Sequence, residues 1–130
     1  MGTSSDLQKA IVARLKAAVP SVAGRVYDGP AETATMPYIA LGGSQVLNDD
    51  AECIDAREEY VTIHVWSPSR PHQGVAKDIR DEVIAAFRRY VPESAPLTVS
   101  EMWVEDMGIE PDPQVAAVHG RMVIAARIEE

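Results

Sequence analysis

Histidines are the side chains of this 130-residue chain best suited to metal binding or acid–base chemistry, and there are three: His64, His72 and His119. If the strands that carry His64 and His119 are neighbours in a sheet, both imidazoles come within reach of one zinc ion. No acidic residue has a spacing diagnostic of a third ligand. The ordinary interpretation is therefore two sheet histidines that contact neighbouring side chains or solvent, and we expect no bound metal.

The sequence contains no motif for other kinds of catalytic chemistry. Cys53 is the only cysteine, so it cannot form an internal disulfide, and the acidic residues around it disfavour a reactive thiolate. The sequence has neither a phosphate-binding glycine loop with its lysine nor a Gly-x-Ser-x-Gly nucleophile motif. We therefore expect a protein that is not an enzyme and needs no cofactor.

The acidic residues are unevenly distributed along the chain. Residues 48–59 hold six of the 20 acids against one base, and residues 105–112 hold four with no base. We interpret both segments as loops. The first does not fit a calcium loop, because its acids are adjacent rather than alternating.

Two interpretations of these segments stay open: solvated loops, which we favour, or interaction surfaces, which their length also supports. Trp103 joins the candidates because half-exposed tryptophans are typical of protein interfaces. The candidate interaction residues are Asp49, Asp50, Glu52, Asp55, Trp103, Glu105, Asp106, Glu110 and Asp112.

The net charge of −8 disfavours binding to nucleic acids and to anionic membrane surfaces. The apolar runs are too short to span a membrane, and we expect no signal peptide, because the chain does not open with a basic and then apolar segment. Composition and length predict one globular domain over residues 1–130, with residues 1–4 disordered, in the cytosol.

Hydrophobic periodicity predicts the elements that position these residues. Helix 1 is expected to start with a capping box formed by Ser5 and Gln8. The predicted elements, in order, are a helix over 5–18, strands over 25–27, 38–41 and 59–67, a helix that begins near Pro71, has Gly74 in its first turn and ends before Pro92, and strands over 97–104 and 115–128.

The segment 59–67 alternates most clearly. Val61, Ile63 and Val65 share one face, and the other face is mixed and carries His64. Gly42-Gly43 predicts a bulge or bend after the second strand. Two amphipathic helices and five strands in the order α-β-β-β-α-β-β predict an α+β two-layer sandwich with a mostly antiparallel sheet.

Several segments together resemble a known family. These are Gly24–Pro30, Met36–Gly42, Tyr60–Ser67 followed by a long helix, and His119-Gly120 in the last strand. In order and spacing, from about Leu7 to Ile128, the chain resembles the small tail-completion proteins of long-tailed phages, prophages and gene transfer agents. It departs from the family at Asp112–Val115, where relatives often have an Asp-Gly turn and an aromatic residue.

The resemblance implies a structural protein without catalytic residues. Such a protein terminates the tail tube, usually as a hexameric ring, and joins it to the DNA-filled head. The implied partners are further copies of the chain, the tail-tube protein and the head connector. The implied location is the bacterial host cytoplasm during assembly and then the virion.

We hypothesise that one acidic segment lines the lumen of such a ring. Negative walls repel phosphates, so DNA would pass through without specific binding. We also expect strand edges and the faces that bear Arg88, Arg89, Arg121 and Arg127 to join the subunits.

Two alternatives remain. One is a small-ligand or metal-binding α+β domain, such as a hydrolase subunit, with His64 and His119 at its site. The other is a cytosolic adaptor that binds one protein partner as a monomer or dimer. Metal content would identify the first and stoichiometry the second.

Overall fold

The computed structural model describes residues 3–29, 34–48, 56–68, 73–92, 98–112 and 117–129. The predicted order of helix, three strands, helix and two strands is confirmed, and the fold is α+β. A short 3-10 turn over Pro20–Val22 follows the first helix. The elements are α1 (Thr3–Ala18), β1 (Val26–Tyr27), β2 (Tyr38–Asn48), β3 (Ala56–Pro68), α2 (Gly74–Phe87), β4 (Thr98–Asp112) and β5 (Ala117–Glu129).

All five strands form one sheet in the order β1-β2-β3-β5-β4. Only the β1–β2 pair is parallel, so the prediction of a mostly antiparallel sheet is confirmed. The central strands are β3 and β5, and the two ends of the sheet are β1 and β4. Helix α1 contacts β1, whereas α2 contacts β3, β5 and β4.

The core lies between the two helices and one face of the sheet. Val61, Ile63 and Val65 are buried on β3, as the alternation predicts, and every second residue of β5 from Val118 to Ile128 is buried beside them. Burying one such aliphatic side chain stabilises a fold by about 2 kcal/mol. The helices contribute Leu7, Ile11, Leu15, Ile79, Val83 and Phe87 to the same cluster.

Helix α1 begins at Thr3, so it includes Thr3 and Ser4, which the sequence assigns to a disordered N-terminus. The predicted capping box is wrong, because Ser5 lies inside the helix. The Gln8 side chain instead donates a hydrogen bond to Asp28, beside β1. Neither helix of the described residues has the length and apolar character needed to cross a membrane.

Strand β2 extends to Asn48, beyond its predicted end, and its register with β3 shifts between Leu41 and Ser44. This shift confirms the bulge predicted at Gly42-Gly43. Helix α2 ends at Phe87, four residues before its predicted end, and Arg89 adopts a left-handed backbone with φ of 56°.

The interpretation of residues 105–112 as a loop is wrong. Glu105, Asp106, Glu110 and Asp112 all belong to β4, whose ladder with β5 runs to the pair Asp112–Ala117. An edge strand is hydrogen-bonded on one side only, so it tolerates acidic side chains and Pro111 that a central strand would exclude.

The other acidic segment, residues 48–59, is divided. Glu58 and Glu59 are part of β3, whereas the predicted site residues Asp49, Asp50, Glu52 and Asp55 lie outside the described residues.

An ion pair on β3, in which the carboxylate is buried, is hydrogen-bonded to Ser4 at the start of α1. Glu59 faces the helices with only 1% of its side chain exposed, and Arg57 Nη2 lies 3.3 Å from Glu59 Oε1. Ser4 Oγ donates a hydrogen bond of 2.9 Å to the same oxygen and accepts one of 3.2 Å from Arg57. The three side chains therefore form one closed network.

Arg57→Met should destabilise the protein more than the double change Arg57→Met/Glu59→Leu. The single change removes the cation beside a buried carboxylate and should lower the free energy of unfolding by about 3 kcal/mol, whereas the double change also removes the carboxylate. Urea unfolding measures both variants. Exposed Arg88→Met is the control, with an expected change below about 0.5 kcal/mol. A single variant as stable as the double variant would contradict the account.

Candidate interaction surface

One face of the sheet has no helix over it within the described part of the chain. Its central residues are half-buried: Tyr60, Thr62, His64 and Trp66 on β3 alternate with the buried core residues of that strand. Because adjacent strands place paired residues on the same face, Arg127, Arg121 and His119 of β5 share this surface. We call it the open face.

Three aromatic side chains stack at the centre of the open face. The rings of Trp66 and His119, which are paired across β3 and β5, lie 4.3 Å apart at an angle of 11°. The ring of His64 follows at 5.0 Å from His119 and 21°. The condition stated for a shared histidine site, that the third and fifth strands be neighbours, is met.

The two imidazoles are hydrogen-bonded to each other. His64 Nδ1 lies 2.8 Å from His119 Nε2, so one nitrogen donates and the other accepts. Gly42 of β2 lies against the opposite side of the ring, where a Cβ atom would come within 2.8 Å of His64 Nε2. Burial, then His119 and then the positive charge of Arg121 lower the pKa of His64.

This geometry does not form a prepared metal site. His64 Nδ1 is directed at His119 rather than at a point that both rings share, and Gly42 covers its other nitrogen. Arg121 adds a positive charge that repels a cation. Within the described ranges, His, Cys, Asp and Glu side chains nowhere form a group of three that could hold a metal ion.

The structure brings five of the predicted site residues together on β4. Trp103 is half-buried and donates its indole N–H to Glu105, and Asp106 Oδ2 lies 3.5 Å from Arg121 Nη1. Glu110 is exposed and is paired in register with His119, and Asp112 is the last residue of the strand.

The free side of β4 forms one end of the sheet, and we call it the β4 edge. Its register with β5 shifts twice, between Val99 and Glu101 and between Val104 and Asp106. These irregularities place extra residues in the edge strand. The strand carries no basic residue and five acidic ones: Glu101, Glu105, Asp106, Glu110 and Asp112.

The other end of the sheet is basic, which the sequence analysis missed. Helix α1 lies beside β1 and carries Lys9, Arg14 and Lys16 against Asp6 alone. Their spacing places Lys9 and Lys16 away from the buried stripe of α1, a signal that the sequence did contain. A shallow groove there, the α1 groove, is lined by Gln8, Lys9, Val12, Ala13, Lys16 and Asp28.

Arg14 is used within the molecule rather than at the α1 groove. Its Nε donates a hydrogen bond of 2.9 Å to the carbonyl of Ala86, and its guanidinium lies 4.0 Å from the centre of the Tyr90 ring. These contacts join α1 to the end of α2. Lys9 and Lys16 remain exposed.

Within the described residues, the α+β sandwich has one sheet face without a helix over it and side chains of opposite charge at the two ends of the sheet. A family model described as tail completion protein gp17 matches residues 9–129, so the chain belongs to this family. The resemblance noted in the sequence is thereby confirmed.

Two solved structures share the fold at low sequence identity. A chain in the structure of the virion of a native gene transfer agent particle is 20% identical, with 95% of each chain covered and a TM-score of 0.81. The bacteriophage SPP1 gp17 protein is also 20% identical, with 98% of this chain and 90% of that chain covered and a TM-score of 0.55. No curated protein matches the chain.

Replacing His119 by Gln should raise the pKa of His64 towards its ordinary value of 6.5, because the variant removes the imidazole that opposes protonation of His64. NMR titration of the His64 ring protons measures the shift, and Arg121→Gln should move it in the same direction. An unchanged titration of His64 in both variants would contradict the described contacts.

The pH dependence of stability should follow from the same contacts. Since the pKa of His64 is lower in the folded protein, the unfolded chain binds more protons as the pH falls below about 6.5. The contribution of His64 to stability is therefore present above that pH and is lost on acidification. In His64→Gln the free energy of unfolding should decrease less between pH 7 and pH 5; a decrease equal to that of the wild type would contradict this assignment.

Proposed function

We propose that the protein caps the tail tube of a phage-type particle and joins it to the DNA-filled head, as a hexameric ring. The observation that carries the proposal is the match of the tail-completion family over residues 9–129. The fold shared with a chain of an assembled gene transfer agent particle supports it. The proposed partners are copies of the chain itself, the tail-tube protein and the head connector.

The molecular surface supports a structural role. The described residues offer surfaces on several sides, namely the open face and the two ends of the sheet. Polar side chains of these surfaces bond to one another, as His64 does to His119 on the open face and Trp103 does to Glu105 on β4. We propose no catalytic residue and no cofactor, and a location in the host cytoplasm during assembly and then at the head–tail junction.

We further propose that the ring lets DNA pass without binding it. Each copy carries a net charge of −8, so six copies would place about −48 around one hole. Phosphates are repelled by such a field. One of the two acidic segments, 48–59 or 105–112, lines the lumen in this proposal, and the other meets a neighbouring protein.

Deleting the gene in a particle-producing strain should leave tails and DNA-filled heads that do not join, because the proposed ring connects them. Electron microscopy of the lysate counts joined and separate particles, and the tagged wild-type chain should restore joining and carry its label at the junction. Normal joined particles in the absence of the chain, or a label elsewhere on the particle, would overturn the proposed function.

Reversing the charges of Asp49, Asp50 and Glu52 to Lys should reduce DNA delivery at least about tenfold while particles still assemble, because the lumen would then attract phosphates. Infectivity or gene-transfer titre per assembled particle measures the effect. The control reverses the exposed residues Asp78 and Asp81 on α2 to Lys, a charge change of the same sign outside the segment 48–59, which should leave delivery unchanged. Unchanged delivery in the first variant would remove the segment 48–59 from the lumen.

A further inference from the structure

We infer that neighbouring copies of the chain contact each other head to tail, with the β4 edge of one copy against the α1 groove of the next. This inference rests on the proposed function, because it names the surfaces through which copies join in the ring. It assigns a binding partner to two surfaces over which no other element of the described residues lies.

The positions of the two surfaces meet the geometric requirement of a ring. A closed ring with head-to-tail contacts needs two different surfaces on opposite sides of each subunit. The α1 groove lies beside β1, where Asp28 directly follows the strand, and β4 is at the other end of the sheet. Three strands, β2, β3 and β5, separate the two surfaces.

The charges of the two surfaces are complementary. Lys9 and Lys16 are exposed at the α1 groove, and β4 exposes Glu101, Glu105, Asp106 and Glu110 with no base. The acidic side chains of two β4 strands would repel each other, as would the lysines of two α1 grooves, which disfavours a symmetric dimer that brings either set together. Head-to-tail contact is the arrangement that pairs opposite charges at every interface.

Backbone and apolar groups supply further contact at these surfaces. Among the described residues, no strand pairs with the backbone N–H and C=O groups on the free side of β4, and Met107 is 37% exposed beside it. Val12 and Ala13 form the apolar part of the α1 groove. Arg88 and Arg89, in the turn after α2, border the β4 edge, and Asp28 borders the α1 groove, so a second pair of opposite charges is available.

Two charge-reversed variants test the inference when they are studied alone and mixed. Lys9→Glu/Lys16→Glu has two acidic surfaces. In Glu101→Lys/Glu105→Lys/Glu110→Lys the three new lysines outnumber the two acids that remain on β4, so both surfaces of this variant are basic. Each alone should self-associate at least about tenfold more weakly than the wild type. An equimolar mixture should associate again, because each variant then offers the charge that the other needs. Sedimentation velocity of the full chain over a range of concentrations measures all four samples.

Lys77→Glu/Arg80→Glu is the matched control for the α1 variant, because it changes the net charge by the same amount on α2, outside both surfaces, and should associate like the wild type. Circular dichroism establishes that each variant is folded. The inference is overturned if either reversed variant associates as well as the wild type, if the mixture associates no better than its components, or if the wild type stays monomeric throughout. A different result contradicts the proposed function, namely the absence of the labelled chain from the head–tail junction.

Discussion

Both helices pack against the same face of the sheet. The buried residues of α1 are Leu7, Ile11 and Leu15, and the central strand β3 contributes Val61, Ile63 and Val65 to the same core, which α2 also joins. Everything else in the structure depends on this one-sided burial. Because both helices cover the same face, the opposite face retains half-buried polar and aromatic side chains that contact one another. In the part of the chain that the structure describes, the outer sides of β1 and β4 likewise pair with no further strand.

The two ends of the sheet differ in charge, so the small domain has two complementary candidate surfaces for association with further copies. Acidic residues along β4 protect a long edge strand against uncontrolled strand pairing, since like charges oppose edge-to-edge contact. The lysines of α1 provide the opposite charge at the far end. A chain with these two surfaces can repeat in one direction around an axis, which is what a ring at the end of a tail tube requires.

Much of this architecture is readable from the sequence, for physical reasons. The alternation of apolar and polar residues in β3 and the four-residue spacing of apolar residues in the helices both indicate elements that bury one face. The element order and the α+β class are therefore predictable. Gly42-Gly43 indicates a bulge because glycine tolerates irregular backbone. The edge strand is different: Glu105–Asp112 combines acids, Gly108 and Pro111, a composition typical of loops, and only its pairing with β5 makes it a strand.

The side-chain contacts of the open face could not be predicted from the sequence. The adjacency of His64 and His119 requires the register of β3 with β5, and the direction of their ring nitrogens requires the positions of Gly42 and Arg121. The basic residues of α1 can be counted in the sequence, but only the fold shows that this helix lies beside β1, at the end of the sheet opposite β4. Sequence spacing thus predicted the elements, and tertiary pairing determined the surfaces.

The central claim is that copies of this chain close head to tail at the head–tail junction. A cryo-electron microscopy reconstruction of the intact particle, at a resolution that separates strands, tests it most directly. The account predicts six copies at the junction, each with its β4 against α1 of the next copy around a central channel. A junction without this chain, or copies that meet through the open face of the sheet, would contradict it.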